Sequence, residues 1–444
     1  MAADAPTIAV LGASGLIGQA VALDLLRRGF PVVALARRFT GAQKAALGAA
    51  AVEAPLVDLD ARSLASLLAG RKVDILVNCI GVLQDMPGKG TASDAHGGFV
   101  SRLLSAMGQQ GARPQLLVHL SIPGAPESDR TAFSATKREA ERLISGSTVS
   151  FAILRPGFVV APVAYGGSAL IRALAALPLR LPQEEASRPF AATDVADISR
   201  TVAFLADGWG QGRRDWRETW EVMERRPHTV GEVVEAFRAR IGGPAPRWRL
   251  PRALLSLGAR AGDLAARLGW APPVRSTALA EMRRGVAGDP GSWVAATRLE
   301  PRSLEAALAR YPAGVQELWS ARLYMLKPAI LGILVVFWVV SGLIALTVAF
   351  DAAVAILTAH AFPPLLAKAV TVVTSLADMA IGAAIAVRRW CRAGLLAGIV
   401  LSLFYMAGAA VLTPEMWVEP LGALVKTGPA IVLMLVALAI FEDR

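Results

Sequence analysis

The residues with the most chemistry to offer begin at position 12. Gly12-Ala13-Ser14-Gly15-Leu16-Ile17-Gly18 follows an apolar run, Thr7–Leu11, and precedes an amphipathic stretch that ends near Arg28. Glycines between a strand and a helix let backbone N–H groups approach a pyrophosphate, which the positive end of the helix then holds. The spacing is G-x-x-G-x-x-G rather than G-x-G-x-x-G, so the placement between strand and helix carries the reading. Gly29 stops the helix, and Pro31–Ala36 reads as a second strand ending in Arg37-Arg38. An acidic residue there would hold a ribose 2′-hydroxyl, whereas arginine suits a 2′-phosphate, so NADP(H) is favoured over NAD(H). The other reading is a solvated arginine pair. A second chemical feature lies far downstream: Asp378, an acid well inside an apolar segment, which makes it a functional candidate by default. At 1.5 Å per residue it lies about 14 Å deep, level with Ser402 and close to Tyr405. It is either a protonated carboxyl hydrogen-bonded to one of those two or a proton, quinone or ion site.

These residues need elements to position them. Val57-Asp58-Leu59 is expected to end the third strand, with Asp58 near the adenine amine. Val73–Val77 reads as the fourth strand, with Asn78-Cys79-Ile80-Gly81 turning after it, and Leu116–Ser121 as the fifth. In order, G-A-S-G-L-I-G, V-D-L, V-N-C-I-G, V-H-L-S, a helix with Lys137, I-L-R-P-G and the later Phe190–Ala196 segment ending in D-V-A resemble the short-chain dehydrogenase/reductases. The resemblance is to their atypical branch, which includes an accessory subunit of mitochondrial complex I, and it covers roughly residues 7–310.

The resemblance implies an α/β, Rossmann-type doubly wound parallel sheet in a head of residues 1–320, with a small substrate lobe over about 156–310. It also implies nucleotide contacts from Gly12, Ser14, Gly15, Leu16, Ile17, Gly18, Arg37, Arg38, Asp58, Leu59, Cys79, Ile80, Gly81, Lys137 and Pro156. That family's chemistry uses a tyrosine four residues before a lysine, plus a serine that polarises the carbonyl. Ser121 and Lys137 occupy the serine and lysine places, but the tyrosine place holds Phe133, which exchanges no proton. Loss of a positioned general acid forfeits about 10²–10⁴ in rate. The first tyrosine in the chain is Tyr165, so no realignment restores it. Candidate substitutes are His119, which shares a strand face with Ser121, His96 in a Gly-rich loop, and Asp85. Each has a plainer reading as a packed or surface residue.

The end of the chain is of another kind. Pro328–Phe350, Leu365–Val387, Ala393–Leu412 and Leu421–Phe441 each hold about 20 mostly apolar residues, enough to cross a bilayer. This predicts an all-α four-span transmembrane bundle over 328–441, and the architecture resembles DoxX-like membrane domains, linked to quinone-associated redox proteins. The loop after the second span, Arg388-Arg389-Trp390-Cys391-Arg392, is basic, whereas the loop after the third holds Glu415 and Glu419. Positive charge stays inside, so both termini are expected in the cytoplasm of a bacterial-type inner membrane. The N-terminus, with Asp4 and no basic n-region, agrees.

The 444-residue chain carries a net charge of +11, much of it arginine within 213–326, which suits an anionic leaflet or a generic basic face. No helix-turn-helix, zinc or RNA-binding signature supports nucleic acid. Two cysteines, Cys79 and Cys391, make neither a disulfide nor a metal site expected. Thr229–Glu232 is a capping box opening a helix to about Ile241. Pro251–Trp270 reads as a second helix, with leucines facing either the substrate cleft, the favoured reading, or the membrane. The expectation is a membrane-anchored NADP(H)-binding protein with a redox, regulatory or assembly role near a quinone or respiratory partner, and with pairing of two chains open. A reductase or isomerase on a lipid-like substrate, and transport through the spans, are the alternatives.

Overall fold

A computed structural model of the chain describes residues 5–83, 93–108, 115–272, 274–311, 313–418 and 424–441. It contains two compact units, Met1–Asp263 with Pro272–Ala321, and Leu264–Ala271 with Arg322–Arg444. Asp85 and Glu419, and Leu421 at the start of the fourth expected span, lie outside the described residues.

In the first unit, β1 (Ile8–Leu11), β2 (Val32–Ala36), β3 (Ala51–Glu53), β4 (Ile75–Asn78), β5 (Leu116–Leu120), β6 (Ser150–Pro156) and β7 (Arg217–Val222) form one sheet. It is parallel throughout, in the order β3-β2-β1-β4-β5-β6-β7. All residues of β1, β4 and β5 are buried, as continuous apolar runs require when both faces are covered. Along β1 the faces alternate. Ile8 and Val10 pack with Val21, Leu25, Ile198 and Val202 on one side. Ala9 and Leu11 pack with Leu64, Leu103 and Ile144 on the other. This doubly wound arrangement gathers the turns after β1, β4 and β5 at the carboxyl edge of the sheet, where such folds bind ligands.

The third strand differs from expectation. It ends at Glu53, and Leu56–Asp58 is a 3₁₀ turn. Pro55 has no N–H to donate to a ladder, so exposed Asp58 lies beyond the strand, not at its tip. In the small lobe, Phe158–Val160 pairs with Ala192–Asp194, and a core of Val160, Ile171, Val233 and Phe237 holds the helices Gly167–Ala175 and Val230–Ile241. The Thr229–Glu232 capping box forms, and Gly242 closes that helix at φ 68°.

Val315–Leu346, which enters the second unit at Arg322, and Pro364–Ala386 and Arg388–Leu412 within that unit are helices long and apolar enough to cross a membrane. Thr427–Ala439 is a shorter apolar helix within the fourth expected span. The segment after the first span holds a further helix, Phe350–Ala359. One sequence expectation is corrected here. The basic run Arg388–Arg392 is the first turn of a helix rather than a loop, with Val387 alone separating it from the preceding helix. Small residues bring the helices together. A Cβ on Gly398 would stand 2.7 Å from Met434 Sδ and 3.0 Å from Trp338. The Leu264–Ala271 segment joins this unit through Trp270 Nε1, which donates to Ala386 O at 2.7 Å, and through Arg388 N–H, which donates to Leu268 O at 3.1 Å.

Candidate functional site

The Gly-rich turn sits where β1 passes into the Leu16–Arg27 helix. Gly12 has φ 80°, a conformation costly to any residue with a side chain, and a Cβ there would meet Cys79 and Ile80 at 3.2 Å. Gly18 lies in the first turn of that helix, where a Cβ would stand 2.4 Å from Gly12 O. The helix therefore starts hard against the turn. Gly15 is its N-cap and supplies no side-chain cap. The first-turn N–H groups of Leu16, Ile17 and Gly18 have no intrahelical acceptor, leaving them to an anion. Gln43 braces the turn from outside by donating to Ser14 O at 3.0 Å. The N–H groups of Gly12 and Ala13 donate to Leu35 O at 2.9 and 3.0 Å, which sets the end of β2 and the exposed Arg37 and Arg38 beside the turn. A cradle that Cβ atoms would fill, at a helix start with open donors, fits a dinucleotide pyrophosphate.

The opposite wall belongs to the turn after β4, the end of β5 and the helix Ala132–Ser145. Lys137 is buried, and its Nζ donates to Leu120 O at 2.9 Å and to Ile80 O at 3.4 Å. A Cβ on Gly81 would stand 3.4 Å from that nitrogen. Burial pulls the Lys137 pKa from 10.5 down to about 8, with Cys79 and Glu141 pulling the other way. Between those values the unfolded chain keeps a proton that the folded chain has released. The contribution of this group to stability is thus lowest below pH 8 and rises as pH climbs toward 10.5. Over that window wild type should gain about 3 kcal/mol on Lys137→Met, read by urea unfolding at successive pH values through the buried Trp216, Trp220 and Trp293. Parallel stability curves would contradict the placement of this ammonium.

Phe133 stands four residues before Lys137 on the same helix, half-buried, its ring 5.6 Å from that of His96 in an edge contact. His96 lies in a π-helical turn, Asp94–Gly98, not in a loop. Its Nε2 accepts the Val82 N–H at 3.0 Å, so Nδ1 carries the proton and donates to Thr136 Oγ1 at 2.8 Å. That hydroxyl in turn donates to Ala132 O at 2.7 Å. Burial, aided by the Lys137 charge, lowers the His96 pKa to about 3 and keeps the ring neutral. His119 lies on β5, beside Asn78 of β4, and is fully buried. Asn78 Oδ1 accepts the Ile80 N–H, so its amide nitrogen faces His119 Nδ1 at 3.1 Å. The His119 proton therefore sits on Nε2, which has no partner among the described residues. Burial, with the Lys137 charge, holds this ring well below its usual pKa. Tyr165 is 53% exposed.

Sequence reading missed what fixes this wall. Arg138 is buried, pairs with Asp129 at 2.8 Å and Glu141 at 3.1 Å, and donates to the carbonyls of Ile122, Pro123 and Gly124. Arg155 grips Glu141 with two bonds of 2.8 and 2.6 Å. Burial raises the Glu141 carboxyl, but the hydrogen bonds and charge of Arg155 hold it below its usual range. Ser121 is buried, and its Oγ has no hydrogen-bond partner among the described residues. Beyond it opens a cavity of about 690 Å³, lined in part by Ala125, Ser128, Arg155, Glu221 and Arg284.

In the second unit Tyr405 Oη donates to Asp378 Oδ1 at 2.9 Å, with Thr371, Ser375 and Ser402 also buried in the bundle. Among the described residues no group of His, Cys, Asp and Glu is placed to hold a metal.

The NAD(P)H-binding family matches residues 12–172, and the DoxX-like family matches residues 335–435. The fold recurs in solved structures of low identity. Human epimerase family protein SDR39U1 with NADPH is 16% identical at a TM-score of 0.50, over 68% of this chain and 98% of that one. The Bordetella bronchiseptica enzyme WbmH with NAD+ is 15% identical at 0.51, over 71% and 98%. UDP-glucuronic acid 4-epimerase from Bacillus cereus, with UDP-glucuronic acid and NAD, is 14% identical at 0.50, over 70% and 99%. No curated protein matches the chain.

Proposed function

The chain joins an NAD(P)H-binding Rossmann domain to a DoxX-like membrane domain, and we propose that it holds NADP(H) at the cytoplasmic face of an inner membrane without the phenolic proton donor of the short-chain dehydrogenases. One observation carries the reading. Beside an intact glycine cradle and a buried Lys137, the donor position is Phe133, and the proton of the nearest histidine, His96, is committed to Thr136. NADPH, when bound, would bring a transferable hydride. The chain's own residues would bind and orient the nucleotide: the first-turn N–H groups of Leu16, Ile17 and Gly18 would hold the pyrophosphate, and Lys137 the nicotinamide ribose.

The preference for the 2′-phosphate rests on Arg37 and Arg38, both exposed at the end of β2. The carboxylate that follows on β3, Glu53, is already engaged by the Phe39 N–H at 2.9 Å and by Lys44 at 3.0 Å. The basic first turn at Arg388, set against Glu415 beyond the third span, supports cytoplasmic termini. In this reading the head is a nucleotide-dependent regulatory or assembly module, and its partner is a quinone or a respiratory membrane protein.

Titration of the purified full-length chain with NADPH and NADH by fluorescence tests the assignment. Arg37→Ala should weaken NADPH about tenfold, the loss of a charge-assisted bond worth about 1.4 kcal/mol, and leave NADH unchanged. Equal effects on the two nucleotides would remove the 2′-phosphate from the account.

A further inference from the structure

The helix Arg252–Arg267 packs inside out. Its buried positions are the small ones, Ala259, Gly262 and Ala266, and a Cβ on Gly262 would stand 1.9 Å from Val274 O. At 3.6 residues per turn, Leu254, Leu257, Leu264 and Leu268 fall on the opposite side in a single stripe, and they are 54%, 61%, 61% and 38% exposed. A helix that buries its small residues and presents its leucines outward leaves a hydrophobic face to be covered by something else.

Three observations choose the cover. Arg260 and Arg267 flank the stripe on one side, both exposed, and Trp248, 63% exposed, precedes the helix between exposed Arg247 and Arg249. Leucines below, arginines at the margin and tryptophan at the end are the composition of a helix lying in an anionic lipid interface. The end of this segment is also fixed to the membrane unit at its basic end. Leu268 O accepts the Arg388 N–H, Trp270 Nε1 donates to Ala386 O, and the Arg388 guanidinium lies 5.9 Å from the centre of the Trp270 ring. Leu268, at the end of the stripe and within the second unit, thus lies at the junction of two apolar helices, Pro364–Ala386 and Arg388–Leu412.

We propose that the Arg252–Arg267 helix is an interfacial membrane helix, its Leu254, Leu257 and Leu264 face, continued by Leu268 in the turn that follows, immersed at the headgroup–acyl boundary of an anionic leaflet. The inference rests on the reading that the apolar helices cross a bilayer. It replaces the expectation that these leucines cover a substrate cleft. Its consequence is that this arginine-flanked surface recognises the charge of the lipid as well as its hydrocarbon.

The test uses the full-length chain in vesicles of phosphatidylethanolamine and phosphatidylglycerol, with an environment-sensitive fluorophore on single introduced cysteines and background taken from the unsubstituted protein. Leu257→Cys and Leu264→Cys carry the probe on the stripe, Val400→Cys on an exposed face of a span, and Glu235→Cys on an exposed head surface. Leu257→Cys and Leu264→Cys should emit to the blue of Glu235→Cys. They should be quenched by nitroxide-bearing lipid and protected from aqueous iodide, with quenching reduced when phosphatidylcholine replaces the anionic lipid. Water-like emission with iodide quenching at both positions overturns the proposal. Blue emission with neither quencher effective means that protein covers the stripe, and overturns it too. Absence of lipid quenching at Val400→Cys would instead refute the bilayer reading on which the proposal rests.

Discussion

Gly18→Ala should lower NADPH affinity about 100-fold, equivalent to about 2.8 kcal/mol. The methyl group would stand 2.4 Å from Gly12 O and 2.9 Å from Gly12 C, both backbone atoms that cannot swing aside as a side chain tip would. Relief requires the Leu16–Arg27 helix to move off the turn, which pulls its first N–H groups out of register with a pyrophosphate. The same strain costs stability, about 1–3 kcal/mol for overpacking of this kind. Gly29→Ala is the control. Gly29 also has positive φ, 85°, but a Cβ there meets nothing within 4 Å. Its substitution should cost about 1–2 kcal/mol of stability, through the left-handed conformation alone, and leave affinity unchanged. Isothermal titration of both variants against NADPH separates the two effects. Equal affinities for Gly18→Ala and Gly29→Ala would remove the glycine cradle from the site.

Phe133→Tyr should create ketone reduction that the wild type lacks, raising the NADPH-dependent rate on small ketones by about 10²–10⁴ over background. The substitution restores a phenol four residues before Lys137, whose buried ammonium, with a pKa lowered to about 8, lies on the same helix face. Phe133 is half-buried and meets His96 only ring edge to ring face, so a hydroxyl can be added without displacing a hydrogen-bonded neighbour. His96 keeps its own proton on Thr136 in either variant. A wild type that reduces the same ketones as fast as Phe133→Tyr would show that another donor serves.

Much of the sheet was legible because its strands are continuous apolar runs bounded by glycine and proline. Thr7–Leu11 and Leu116–Ser121 each lie within one residue of their observed strands at both ends. The third strand was not, because Val57-Asp58-Leu59 looks like a strand tip and Pro55, which ends the ladder, sits ahead of it. The Lys137–Phe133 spacing could be read directly. The bonds that commit His96 to Val82 and Thr136, across 14 and 40 residues, could not, because side-chain pairing at that separation leaves no periodic trace. Arg138, Glu141 and Arg155 were hidden for the same reason: a charged triplet on a helix and strand reads as surface until burial shows otherwise. The leucines of Arg252–Arg267 misled, because an apolar stripe normally marks the packed face, and here Gly262 and two alanines take that role. In the membrane unit, length and hydropathy located the long helices. The ten-residue helix Phe350–Ala359 is too short to signal a span, and Arg388–Arg392 has the composition of a loop.

NADP(H) binding at a site without a phenolic donor is tested by a single experiment on the full-length wild-type protein: NADPH fluorescence followed during titration and then over time after a ketone is added. Saturable binding to one site per chain and an unchanged NADPH signal once ketone is present are expected. Failure to bind, or steady ketone-dependent loss of NADPH, would contradict the assignment.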